Sequence, residues 1–380
     1  MFVAGALALA TLVGLAALWP SDDSNVKLGP GFAAKSERAS VERVEEYRCS
    51  GFQTNTCRRV QIELETGDDT GQLHELTLGT GGLDPDLDVG DEVRVVANVV
   101  PPGTQAGSVP AYSLSDFERR APMLWLAIAF VALVLLFGRL RGALSLAGLA
   151  ASLGVVLVFV VPAILEGEEP VLVALAGSLA IMLVTIPLAH GTGPKSLAAV
   201  LGTGASLVLT TLLALLFTDL THLTGLSSEE ATILQINDAS LSLEGLLLAG
   251  MVIGALGVLD DVTISQASTV MALRRANPAL TARELYRRAT DVGRDHVSAT
   301  VNTLVLAYVG ASLPVLLLFN SSELGLVEVL NIELVAKEIV AMLVGSVGLI
   351  AAVPITTGLA AALATRVPST ALGADAGHVH

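Results

Sequence analysis

Charged residues are scarce in this sequence. Lys, Arg, Asp and Glu make up 15% of the 380 residues, whereas apolar residues make up 53%, and the mean hydropathy is +0.70. An ordinary soluble domain carries about 25% charged residues. The low charge excludes a typical soluble protein and indicates that lipid surrounds most of the chain.

Basic patches and the signatures of common enzymes are also absent. No cluster of Lys and Arg with interleaved aromatic residues occurs, which excludes nucleic acid as a partner. No zinc-protease motif, serine elbow or cysteine nucleophile is present, and segment 190–196 lacks the spacing of a phosphate loop. We therefore expect no enzymatic activity and no cofactor.

Cysteine is limited to Cys49 and Cys57. Both lie in the polar segment 20–120, which also holds 18 of the 36 acidic residues. A disulfide between such neighbours persists only in an oxidising compartment. The spacing predicts a Cys49–Cys57 disulfide and an extracytoplasmic position for this segment, with two free surface thiols as the alternative.

Long apolar runs are abundant. A membrane-spanning helix needs about 20 apolar residues, and the runs predict an α-helical polytopic membrane protein with about eight transmembrane helices. The first run is either a signal anchor within residues 1–19, which the lack of a basic leader favours, or a cleavable signal peptide. The eight runs are 2–18, 123–137, 144–165, 171–189, 196–217, 246–263, 299–319 and 339–363.

The charges of the loops alternate in sign along the chain. One set of loops carries basic residues, and the other set is acidic apart from Lys337. The basic residues are Arg139, Arg141, Lys195, Arg274, Arg275, Arg283, Arg287, Arg288, Arg294 and Arg366, and the acidic residues are Glu166, Glu168, Glu169, Asp219, Glu229, Glu230, Glu323, Glu328 and Glu333. The positive-inside rule assigns the basic loops to the cytoplasm. Both termini, including the tail 367–380, are then cytoplasmic if the first run is retained.

Segment 20–120 has the pattern of a small β domain. Residues 59–65 alternate between apolar and polar side chains, and 73–78 and 93–100 are further strand candidates, each followed by a turn signal. Such short, closely spaced strands are typical of small barrels. We predict an OB-like domain of five strands, inserted between the first helix and a seven-helix membrane domain at 121–366.

Two adjacent carboxylates, Asp260 and Asp261, end the sixth apolar run. A charged side chain within a span costs about 2.5 to 3.5 kcal/mol, so such a residue is a candidate for function. Successive helical residues diverge by about 100°, so only one of the two needs to face the bundle interior. Alternatively, the span ends before Asp260 and both acids lie at the membrane surface.

Further polar residues extend this candidate site. Asn302 and His296 belong to the next helix, where a surface pair of His296 with Asp295 is the alternative, and Thr281 is predicted to cap a cytoplasmic helical hairpin. Proline inside a span frees a backbone carbonyl, so Pro187 and Pro354 are predicted to break their helices beside the site. The predicted ion-binding or substrate-binding set is Asp260, Asp261, Thr263, Ser265, Gln266, Asn302, His296, Pro187, His190, Pro354, Thr356 and Thr357.

Three segments resemble the YibE/F family of bacterial multi-span membrane proteins. They are Gly254-Ala255-Leu256-Gly257 with the following aspartates and Ser265, Leu313-Pro314-Val315-Leu316-Leu317, and Gly345-Ser346-Val347-Gly348-Leu349 through Pro354-Ile355-Thr356-Thr357. The resemblance extends over approximately residues 40–365 and implies a bacterial inner-membrane location. It implies an architecture more than a mechanism, because the activity of the family is poorly defined.

Two functions agree with this sequence. The first is a secondary transporter or channel-like protein that binds a cation or proton between the polar stretches, with an unknown substrate. The second is a noncatalytic membrane scaffold whose outer β domain binds an envelope or protein partner. The expected partners are the lipid bilayer and a cation or small solute, and association into a homo-oligomer stays open.

Overall fold

The computed structural model describes residues 2–21, 35–47, 57–78, 85–98, 110–227, 229–237, 241–321 and 324–367. The chain divides into two compact units. The β unit is Lys27–Leu133, and the helical unit combines Met1–Val26 with Val134–His380.

The β unit contains one antiparallel sheet of five strands in the spatial order β3-β2-β1-β4-β5. The strands predicted at 59–65 and 73–78 are confirmed as β2 and β3, and the third begins at Glu92 as β4. The strands are β1 (Ser36–Tyr47), β2 (Cys57–Leu64), β3 (Leu73–Leu78), β4 (Glu92–Ala97) and β5 (Tyr112–Phe117).

The sheet curls around a small apolar core. Alternate residues of β2, namely Val60, Ile62 and Leu64, are buried, as the period of two requires. The edge strands approach each other, because the ring centroids of His74 on β3 and Tyr112 on β5 lie 4.7 Å apart. The small β domain is therefore confirmed, whereas its OB-like topology stays a prediction.

Helices form the rest of the structure. A π-helical turn, Val156–Val160, joins α2 to α3. The helices are α1 (Phe2–Ala17), α2 (Arg120–Val155), α3 (Val161–Leu165), α4 (Pro170–His190), α5 (Pro194–Leu220), α6 (Glu229–Asn237), α7 (Leu243–Ala276), α8 (Ala282–Ala311), α9 (Leu313–Asn320), α10 (Leu326–Asn331) and α11 (Glu333–Arg366).

Five helical segments among the described residues are long and apolar enough to cross a membrane. Helices α8 and α9 would add a sixth span if their 61° bend lies within one crossing, whereas α1, with 16 residues, is shorter than the usual span. The predicted count of eight is therefore not established. The five are Arg120–Leu165, Pro170–His190, Pro194–Leu220, Leu243–Ala276 and Glu333–Arg366.

A bend at Arg139 explains part of the difference in span count. Residues 123–137 and 144–165, predicted as two spans, lie in two helices that meet at Arg139 without an intervening loop and are counted together as Arg120–Leu165. Arg139 has a φ of 49° and a ψ of −128°, far from helical values. The chain turns there so sharply that a Cβ on Gly142 would overlap the carbonyl oxygen of Val134, which only glycine avoids.

The helical hairpin predicted after the aspartates is present. Helix α7 continues to Ala276, a short turn follows, and α8 begins at Ala282. The Thr281 hydroxyl accepts a bond from the N–H of Glu284 at 3.3 Å, and the Glu284 carboxylate accepts one from the N–H of Thr281 at 2.9 Å. This reciprocal capping box confirms Thr281 as the N-cap.

Helices α5, α7 and α11 pack against one another in the helical unit, and α4 covers another face of α7. Small residues permit this close approach. A Cβ on Gly202 of α5 would overlap the hydroxyl of Thr356 on α11, and one on Gly348 of α11 would overlap that of Thr210 on α5. Glycine at such contacts is typical of helix packing within membranes.

Candidate functional site

The two aspartates of α7 have different surroundings. The Oδ1 atom of Asp260 is shielded from solvent, whereas Asp261 is exposed. Their difference follows from the angle of about 100° between successive helical residues. One carboxylate therefore faces the protein and its neighbour faces outward.

Asp260 lines an open groove of about 320 Å³ between α2, the π-helical turn, α4 and α7. Most of the groove surface is apolar, and Asp260 provides its only ionisable side chain. Helix α7 also contributes Gly257, one turn before Asp260, where the missing side chain leaves the groove open. The lining residues are Leu149, Ser152, Leu153, Val156, Ile181, Thr185, Ile253, Leu256, Gly257 and Asp260.

Two polar atoms of the groove have unused hydrogen-bonding capacity. Oδ1 of Asp260 and Oγ1 of Thr185 are buried and have no hydrogen-bond partner among the described residues. The third polar residue, Ser152, donates its hydroxyl to the carbonyl of Gly148 at 3.0 Å. A carboxylate without a partner in apolar surroundings costs free energy, which uptake of a proton or a cation would offset.

The π-helical turn shapes one wall of the groove through Val156. Pro162 has no backbone N–H, so it cannot continue the α-helical hydrogen-bond pattern at its position. The N–H of Val161 donates to the carbonyl of Val156, five residues earlier, which widens the helix locally. Such π-bulges occur frequently at functional sites.

A second polar cluster, here called the seam, joins α5, α7 and α11. The hydroxyls of Thr203 and Thr263 lie 2.5 Å apart, and Thr357 donates to Oε1 of Gln266 at 3.1 Å. All four side chains, together with that of Thr356, are fully buried. The seam therefore fixes α7 to both neighbouring helices through uncharged groups.

The seam also retains unpaired atoms. Nε2 of Gln266 and Oγ1 of Thr356 have no partner among the described residues. Gly293 of α8 lies against Gln266, since a Cβ there would be 2.6 Å from Nε2. Unlike Asp260, the seam residues line no groove among those found in the described part of the chain.

The structure brings together only some of the predicted site residues. Asp260 faces the groove, and Thr263, Gln266, Thr356 and Thr357 form the seam. Ser265 is half-buried and accepts a bond through its backbone carbonyl from Thr269 at 3.0 Å. Asn302 and His190 are exposed and line neither region, while His296 is half-buried with an unpartnered Nε2.

The predicted breaks at Pro187 and Pro354 are absent. Helix α4 continues for three residues beyond Pro187, and α11 continues for twelve beyond Pro354. Pro354 is exposed, whereas Thr356 and Thr357, two and three residues later, are buried in the seam. Proline removes one donor from a helix, but this loss does not by itself end a helix.

Sequence reasoning missed the contribution of α5. Thr203, Ser206 and Thr210 recur at three- and four-residue spacing and are all buried. Their spacing along one helix face, beside Gly202 and Gly204, was the available signal. Between Lys195 and Asp219, near its two ends, the polar side chains of this helix are all hydroxyls, so no charged residue drew attention to this face.

Several acidic residues of the loops serve as structural caps. Glu169 accepts bonds from the N–H groups of Val171 at 3.2 Å and Leu172 at 2.7 Å, at the start of α4. Glu333 accepts bonds from the N–H groups of Thr224 at 2.9 Å and Gly225 at 2.7 Å. These carboxylates stabilise helix starts and turns, which gives them a role independent of any ligand.

Most of the described arginines of the β unit form ion pairs with acidic side chains. Glu118 accepts bonds from Arg120 at 2.8 Å and 2.5 Å and from Arg94 at 3.4 Å. The Arg120 bonds lower the pKa of Glu118 to about 2. Burial, followed by a 2.9 Å hydrogen bond to Asp69, raises the pKa of Tyr112 to about 12.

The predicted disulfide stays a prediction, because Cys49 lies outside the described residues. Among the described residues, no group of three or more His, Cys, Asp or Glu side chains is arranged to hold a metal ion.

The long apolar helices, with their uncharged buried seam, define this chain as a membrane-embedded helical protein that carries a small β unit. The YibE/F-like protein family matches residues 126–366, so the chain belongs to this family. The matched region begins after β5, whereas the sequence resemblance had included the strands. No curated protein and no solved structure matches the chain significantly.

Proposed function

We propose that this chain is a secondary transporter or channel-like protein that binds a cation or proton at Asp260. The observation that carries the proposal is the unpartnered Oδ1 of Asp260 in a largely apolar groove. Carboxylates within membrane segments are costly and commonly mark ion pathways or proton relays. Asp261 beside it is exposed, so its charge carries no comparable cost and does not indicate a site.

The position of Asp260 along α7 supports access from water. At about 1.5 Å per residue, Asp260 lies about 26 Å along the helix axis from Leu243. The hydrocarbon layer is about 30 Å thick. If α7 enters the membrane near its first residue, Asp260 lies close to the opposite boundary, where an ion can reach it without crossing the whole layer.

The seam provides the rigid support that such a site needs. Thr203, Thr263, Gln266 and Thr357 hold α7 to α5 and α11, while the groove opens on the side of α7 that faces α2 and α4. A movement of α2 or α4 relative to α7 would change access to Asp260 and leave the seam intact. Alternating access in transporters commonly uses such relative movement of helices.

The proposal includes the placement of the protein. It assigns the chain to the bacterial inner membrane, with eight spans, cytoplasmic termini and an extracytoplasmic β unit, on the basis of loop charge and the positive-inside rule. The acidic outer loops would raise the local concentration of cations.

Flux measurements on the purified full-length chain in vesicles test the function. Proton and Na⁺ gradients are imposed, and flux is compared for the wild type, Asp260→Asn and Asp261→Asn. We expect Asp260→Asn to lower flux at least tenfold and Asp261→Asn to retain it. Absence of flux in the wild type, or equal flux in all three proteins, would instead favour the noncatalytic scaffold.

A further inference from the structure

The lining of the groove restricts what can bind beside Asp260. One carboxylate and two hydroxyls face a surface formed by six large apolar side chains, among them Leu153, Ile181 and Leu256. Since Ser152 already donates its hydroxyl to the Gly148 carbonyl, Asp260 and Thr185 are the polar residues with unused oxygen atoms. The groove therefore combines one anionic group with an extended apolar wall.

A bare divalent metal ion does not fit this lining. Hard cations such as Ca²⁺ take six to eight oxygen ligands, and Mg²⁺ requires an octahedral set. The groove presents one carboxylate and few other oxygens, and no metal-binding group of acidic or histidine side chains occurs among the described residues. The lost hydration of a divalent ion would not be replaced there.

From the groove we infer that its ligand is an amphipathic organic ammonium ion, that is, an amine whose charged N–H group pairs with Asp260 and whose apolar body contacts the aliphatic wall. This inference rests on the proposed function and names its substrate class. An ammonium group donates up to three hydrogen bonds, which suits the unpartnered oxygens of Asp260 and Thr185. A volume of about 320 Å³ lies at the lower end of typical small-molecule sites.

Two glycines on α7 provide a test of the groove that leaves Asp260 unchanged. Gly257 lines the groove, whereas Gly250 does not, and a Cβ at either position would have no atom within 4 Å. The first carbon of a side chain therefore has space at both positions. Gly257→Leu should occupy the groove, and Gly250→Leu serves as its matched control.

Calorimetric titration of the purified full-length chain with 2-phenylethylammonium tests the inference. We expect Asp260→Asn and Gly257→Leu to weaken binding at least tenfold, and Asp261→Asn and Gly250→Leu to change it less than twofold. Neutral 2-phenylethanol, similar in shape, should bind at least tenfold more weakly than the ammonium ion. Thermal unfolding of each variant verifies that it remains folded.

The outcomes separate the substrate class from the function. If 2-phenylethylammonium does not bind the wild type, or binds no better than 2-phenylethanol, the inferred substrate class is wrong, although proton or Na⁺ flux that depends on Asp260 would still support transport. If binding persists in both Asp260→Asn and Gly257→Leu, the groove is not the site. If neither binding nor flux depends on Asp260, the inference and the proposed function both fail.

Discussion

The β unit and the helical unit differ in the kind of polar side chain that they shield and in how these side chains are paired. In the β unit, charged groups pair with each other, as Arg94 and Arg120 pair with the shielded carboxylate of Glu118. In the helical unit, the buried polar groups are mainly hydroxyls, several of which bond between helices or to carbonyls of their own helix. Water tolerates charge, whereas a low-dielectric interior favours neutral groups.

Asp260 makes this comparison informative, because its carboxylate lines a groove. It is an ionisable group of the helical unit with a buried oxygen that lacks a partner among the described residues. Thr263, only one turn further along α7, bonds to Thr203 and lines no groove. Burial of a polar group alone does not indicate function, whereas burial without a partner beside an open groove does.

The largest expected effect on stability comes from overfilling the contact between α5 and α11. Gly202→Val would place side-chain atoms where the Thr356 hydroxyl lies, and such overpacking typically costs about 1 to 3 kcal/mol. We expect a marked fall in the thermal midpoint of the purified protein. Gly250→Val, in open space, is the control, and equal midpoints for the two variants would show that α5 and α11 do not pack as described.

A smaller loss of stability is expected when one hydrogen bond of the seam is removed. Thr263→Val keeps the shape of the side chain but loses the bond to Thr203. Hydrogen bonds between membrane helices contribute about 0.6 kcal/mol on average and about 1.7 at most. Chemical unfolding of Thr263→Val, Thr203→Val and the double variant measures the coupling, and strictly additive losses would contradict a direct bond.

The smallest expected effect is the response of the β unit to acid. The folded-state pKa of Glu118, about 2, lies below the ordinary 4.5, so its pairing stabilises the fold fully above about pH 4.5 and is lost as pH falls toward 2. Hydrogen exchange, corrected for intrinsic rates, should show β4 and β5 losing protection over this interval. Glu118→Gln should remove part of this dependence; an unchanged profile would mean that the ion pairs do not form.

The sequence predicted most of the chemistry on α7 and little of its partner helix. Asp260, Thr263 and Gln266 formed a visible polar interruption in an apolar run, because carboxylates and amides are conspicuous there. The hydroxyls of α5 were not recognised, since Thr203 and Ser206 are common in membrane helices and acquire meaning only through packing. Whether Asp260 or Asp261 faces inward also required the positions of α2 and α4.

The strands of the β unit could also be predicted only in part from the sequence. The sequence pattern predicted β2 and β3 as strands. It did not predict β1, because the register of β1 shifts between Val41 and Arg43. This irregularity moves the apolar position from Val41 to Val44 and interrupts the period of two on which strand prediction depends. The sequence also did not indicate that a sharp turn at Arg139, and not a loop, separates the second and third predicted spans.

Carboxylate labelling in native membranes tests the central claim most directly. The full-length protein is treated with an apolar carbodiimide or with a water-soluble one, and the modification of Asp260 and of Asp261 is read from peptide masses. The apolar reagent should modify Asp260 in the groove, and the water-soluble reagent should modify Asp261 at least tenfold faster than Asp260. Rapid modification of both residues by the water-soluble reagent would show that Asp260 is freely solvated and that the groove holds no shielded carboxylate.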